Sequence, residues 1–178
     1  MLKILDCTLR DGGYYNNWKF EHNLVRNYLR AMDACSVDYI ELGFRFKSPE
    51  DGIGPFGKMS EDFLQTLDLP TTLKYAVMIN GKEFLQESKE ETISSIRNKF
   101  VDASKSPISL VRVAINFTTA TQVKPILKEL SDLGYEVGLN LMQSSGKSES
   151  EYIEIATEIS NWGLVDILYF ADSFGNMN

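Results

Sequence analysis

The sequence predicts an α/β protein built as a (β/α)8 TIM barrel, present as an N-terminal portion of about six β/α units. Three observations carry this. Short aliphatic runs alternate with helix-type runs along all 178 residues, with strand centres near positions 5, 41, 76, 113, 139 and 168. Spacing of this kind is the rhythm of parallel strands joined by helices. Polar residues stand at or just beyond the C-terminal end of nearly every strand, which suits a barrel mouth better than the single crevice of a doubly wound sheet. No Gly-rich phosphate-binding turn follows the first strand, which weakens the nucleotide-binding form of that sheet. Residues 1–178 are read as one partial barrel domain.

The first strand is expected over Lys3 to Cys7. It runs into Asp6-Cys7-Thr8-Leu9-Arg10-Asp11-Gly12-Gly13-Tyr14-Tyr15, where two glycines and three charges predict a sharp turn at the sheet's mouth. A helix follows over Glu21 to Ala34, with Leu24, Val25, Tyr28, Leu29 and Met32 forming an apolar face. The second strand is Asp38 to Phe44, followed by a Gly- and Pro-rich loop, Lys47 to Met59, and a short helix over Glu61 to Leu67. The third strand, Leu73 to Ile79, stops at Asn80-Gly81, and a mixed-charge helical run follows from Lys82 to Lys105. The fourth strand is Leu110 to Ile115. Thr118 or Thr121 opens the next helix, which Gly134 closes. The fifth strand is Glu136 to Met142, and Ser148-x-x-Glu151 is a capping-box pattern for a helix ending before Gly163. The sixth strand is Val165 to Ala171.

A hydrophobic content of 43% and a charged content of 24% are those of a globular domain. The net charge of −7 and the absence of a basic block argue against a nucleic-acid partner. No apolar run approaches the roughly 20 residues of a membrane span, and no leader pattern opens the chain, so a cytoplasmic location is expected. Cys7 and Cys35 lack CxxC spacing and are expected as reduced, buried thiols.

The charged stretch is poor packing material. Arg10 beside Asp11 could hold a carboxylate or an enolate, and Asp11 or Asp6 could ligate a hard divalent cation. The alternative is a structural ion pair at a turn. Arg45, Lys47 or Lys58 could meet a substrate carboxylate from the loop after the second strand. Asn116, Asp172 and Ser173 close later strands and point to the same mouth. His22, the single histidine, is read as a solvent-facing or capping residue at a helix start.

Four segments then become recognisable: Thr8-Leu9-Arg10-Asp11-Gly12, Ile40-Glu41-Leu42-Gly43, Val111-Arg112-Val113-Ala114 with Thr118 and Ala120, and Tyr169 to Met177. In this order they resemble the pyruvate aldolase branch, 4-hydroxy-2-oxovalerate aldolase-like, of the HMG-CoA lyase-like metallolyase superfamily. The resemblance implies a (β/α)8 barrel and a divalent-metal-dependent lyase, with Mn²⁺ or Mg²⁺, that makes or breaks a C–C bond next to a 2-keto acid. It casts Asp11 as a metal ligand, Arg10 as the enolate-stabilising arginine and Glu41 as the residue that orients it. Substrate contacts fall to Arg45, Asn116, Asp172 and Ser173. The branch places a histidine base where this chain has Tyr14, so Tyr14 either transfers the proton or packs with Tyr15 and Trp18 as a lid. The family's two metal-binding histidines on a seventh strand have no counterpart here, so weak metal binding and little activity are expected of this chain by itself. Unpaired outer strands predict a homodimer, and some family members pass their aldehyde to a dehydrogenase partner. An acyl-CoA condensing enzyme and a silent barrel domain are the alternatives.

Overall fold

The computed structural model describes residues 3–86 and 88–171. Among these the aliphatic runs become six strands: β1 (Leu5–Asp6), β2 (Tyr39–Phe44), β3 (Lys74–Asn80), β4 (Ile108–Asn116), β5 (Glu136–Met142) and β6 (Ile167–Phe170). They lie side by side in sequence order, and every pairing is parallel. A doubly wound sheet would reverse direction beside its first strand. The unbroken order is that of a barrel wall, so the α/β barrel expectation holds for these six units.

Helices link each pair of strands. Between β1 and β2 lie α1 (Thr8–Asn16) and α2 (His22–Ala34), and α3 (Glu61–Leu64) precedes β3. Two short helices, α4 (Gly81–Phe84) and α5 (Lys89–Arg97), lead to β4, then α6 (Lys124–Asp132) and α7 (Glu149–Trp162) lead to β5 and β6. The capping box of Ser148 and Glu151 forms as expected, and Gly163 ends α7 in the left-handed conformation. The run after β3 is not one helix. Leu85 turns extended, and a second capping box, Ser88 with Glu91, restarts the chain as α5.

The stretch expected as a sharp turn is instead the helix α1, and this correction changes how Arg10 and Asp11 are held. Asp6 accepts hydrogen bonds from the Thr8 amide (2.9 Å) and the Thr8 hydroxyl (3.2 Å), which steadies the first turn. Gly13 is a packing glycine rather than a turn glycine. A Cβ there would lie 2.1 Å from the Trp18 indole, whose Nε1 donates to the Arg10 carbonyl at 3.1 Å. The reversal comes later, at Asn17 and Trp18, both with φ of 56°. Neither cysteine is buried, and both are free.

Alternation along the strands divides the sheet into two faces. Outward residues such as Ile40, Val77, Val111 and Leu139 pack beneath the helices. Inward, Tyr39, Ala76 and Leu110 form a small cluster with Leu5 and Ile167. Two residues further along β2 and β4, on the same inward face, stand Glu41 and Arg112. No helix among the described residues is long and apolar enough to cross a membrane.

Candidate active site

The C-terminal end of the sheet gathers charge from three elements. Glu41 on β2 is completely buried. It accepts a hydrogen bond from Arg10 Nε of α1 at 2.7 Å, and Arg112 Nη1 of β4 donates to both its oxygens at 3.0 and 2.9 Å. The two side chains meet across the intervening strand β3, where Ala76 is registered with Glu41 and Met78 with Arg112. A bulge between Glu41 and Gly43 interrupts the β2–β3 register at this point, and such bulges re-aim neighbouring side chains.

Arg112 is 6% exposed. Its guanidinium lies over the Tyr169 ring at 4.3 Å, and its Nε is buried without a hydrogen-bond partner among the described residues. Gly138 of β5, its registered neighbour, makes the room: a Cβ there would come within 2.8 Å of Arg112 Cγ. Burial lowers the pKa of Arg10, but the Glu41 charge and hydrogen bond outweigh it and raise the value above the ordinary one.

Asp11 projects into the open beside this group with its side chain 55% exposed. It pairs with Arg10 and accepts from the Cys7 thiol at 3.2 Å. Burial, then that hydrogen bond, pushes the Cys7 thiol up to about 11. Asp11 is thus a carboxylate at the mouth that a hard cation could share. Among the described residues no group of three or more His, Cys, Asp and Glu side chains is placed to hold a metal. Asp11 therefore fits as a single ligand.

Tyr14, 62% exposed, stands edge-on to Trp18 (4.8 Å between ring centres) and Phe44 (6.0 Å). Partial burial against these rings, opposed by Arg10, raises its pKa, so the phenol keeps its proton at neutral pH. Tyr15 is fully in solvent.

Other expected residues lie apart from this cluster. Arg45 points to the outer face, where it meets Glu61 (3.0 Å), the Lys99 carbonyl (3.0 Å) and the face of Phe100 (4.5 Å). Lys58 lines the same outer cavity, of about 450 Å³. Lys47 donates its amide to Glu83 at 3.2 Å. Asp6 turns away from the mouth to bond Tyr28. His22 begins α2 on the surface, edge-on to Phe63. Asn116 ends β4 half-buried, its carbonyl accepting from the Thr119 hydroxyl at 3.2 Å. Asp172 and Ser173 lie outside the described residues.

Arg112 and Tyr169 were not among the expected site residues. The signal for Arg112 was a charge inside an apolar strand, two places from an inward leucine.

No family model matches the chain. Its sequence is 25% identical to a 4-hydroxy-2-oxovalerate aldolase of Geobacillus genomosp. 3, over 99% of this chain and 50% of that relative. It is 26% identical to one of Bacillus cereus, over 98% and 48%. An oxaloacetate decarboxylase of Mycobacterium tuberculosis is 22% identical over 97% and 48%. A crystal structure of the N-terminal domain of a "putative aldolase" from Bacteroides vulgatus superposes with a TM-score of 0.75 and 32% identity, over 99% of this chain and 56% of that one. The chain spans about half the length of the curated relatives it matches. Throughout its length it resembles the 4-hydroxy-2-oxovalerate aldolase branch of the HMG-CoA lyase-like barrels, and its relatives are lyases of the aldolase kind.

Proposed function

We propose that this chain supplies the enolate-stabilising side of a metal-dependent C–C lyase for small 2-keto acids, with 4-hydroxy-2-oxo acids as the substrate class. The observation that supports it is the buried Arg10–Glu41–Arg112 cluster beside exposed Asp11, at the C-terminal end of a parallel barrel wall. Retro-aldol cleavage of a 4-hydroxy-2-oxo acid and decarboxylation of oxaloacetate both leave the enolate of pyruvate. One positively charged group close to that oxygen, in a site shielded from water, serves either reaction.

Arg10 presents its guanidinium to the substrate carboxylate or the developing enolate oxygen, and Glu41 fixes its orientation. Asp11 contributes one ligand to Mn²⁺ or Mg²⁺, which when bound shares the enolate charge as a Lewis acid. Tyr14, protonated at neutral pH, gives a proton at the mouth or relays one from the substrate hydroxyl. Asn116, Asp172 and Ser173 are assigned as substrate contacts on the later strands.

The test is pyruvate release from 4-hydroxy-2-oxo acids, with and without Mn²⁺, by a complete barrel that includes this chain, in wild type and Asp11→Asn, since the chain by itself is expected to release little. The proposal expects release that needs metal and collapses in the variant. Metal binding without pyruvate release would instead favour an acyl-CoA condensing reaction.

A further inference from the structure

Glu41 carries one negative charge and faces two guanidiniums, so these three side chains sum to plus one; Asp11, which also pairs with Arg10, is 55% exposed, and water weakens its share of the balance. An Arg10–Glu41 pair alone would be neutral, and a neutral pair is a weak anchor for an anion. We propose that Arg112 is a positioning residue: it absorbs the charge of Glu41 and so leaves Arg10 as an effective cation toward the carboxylate or enolate oxygen of a small keto acid. This rests on the reading of Arg10 as the anion-facing group.

The geometry supports the division of labour. Arg112 is 6% exposed and capped by the Tyr169 ring at 4.3 Å, so it acts on the mouth through Glu41. Its Nη1 faces both carboxylate oxygens at 3.0 and 2.9 Å. Arg10 approaches Glu41 through Nε and Asp11 through Nη1, which leaves Nη2 for a ligand. A guanidinium placed only to hold strands together would saturate its donors. Here, among the described residues, Nε of Arg112 goes without a partner while Nη1 serves Glu41 twice. Gly138 gives the side chain its path, since a Cβ there would sit 2.8 Å from Arg112 Cγ.

The experiment is titration calorimetry of oxalate and pyruvate into the full chain, with urea unfolding of each variant alongside. Arg10→Met is expected to abolish binding. Arg112→Met is expected to weaken it about tenfold or more, as one full charge is lost a few ångströms away. Arg112→Lys restores most of the affinity. If Arg112→Met binds as wild type while Arg10→Met does not, the positioning role falls and the anion site stands. If Arg112→Met loses binding and Arg112→Lys fails to recover it, Arg112 acts through packing rather than charge and the proposal is overturned. If wild type binds neither anion, both readings fall.

Discussion

The two ends of the same sheet each carry a polar trio centred on a glutamate, built to opposite rules. At the N-terminal end Glu136 accepts from the Tyr39 hydroxyl and from Lys74, each at 2.5 Å, with the Lys74 side chain 51% exposed. At the C-terminal end Glu41 is fully buried between Arg10 and Arg112. Water competes for the first trio, so its net worth is small. The second cannot be solvated if one member is removed, which makes it costly to break. The fold tolerates that cost at the end of a parallel barrel where chemistry resides.

Several substitutions would break or sharpen the contrast. Glu41→Ala leaves two buried guanidiniums uncompensated and is expected to destabilise the chain by about 3–5 kcal/mol in urea unfolding. Gly138→Ala drives a methyl against Arg112 and is expected to cost about 1–3 kcal/mol, with weaker oxalate binding. Glu136→Gln, at the other end, is expected to cost under about 1 kcal/mol.

That last difference carries a pH signature. Burial would raise the pKa of Glu136, but Lys74 and Tyr39 hold it below the ordinary value. Its contribution is therefore present above the unfolded carboxylate pKa of about 4.3 and lost as pH falls through the lower folded value. Wild type and Glu136→Gln should differ at neutral pH and converge in strong acid. A gap that persists at low pH would mean that something other than the charge sets it.

Much of this architecture was legible in the sequence because aliphatic runs and capping patterns are local. β5 and the capping box of α7 form where the residues indicate. The helix α1 was hidden because Gly12-Gly13 carries the pattern of a turn, whereas Gly13 serves the Trp18 ring, a contact made only after the chain has folded back. Arg45 was expected as a substrate contact at the mouth. The bulge between Glu41 and Gly43 shifts the strand's alternation and sends Arg45 outward to Glu61. Arg112 meets Glu41 across 71 positions of sequence, a distance over which periodicity carries no information.

The most direct test of the central claim is the rate of Mn²⁺-supported pyruvate release from a 4-hydroxy-2-oxo acid by a complete barrel that includes this chain, in wild type and Arg10→Lys, with stability measured in parallel. Lysine keeps the charge but cannot reach Glu41 and the enolate oxygen with the same planar fork. The account predicts a rate lower by about 10²–10³ with folding retained. An unchanged rate would contradict it, and the buried trio would then be a strand clamp rather than a catalytic centre.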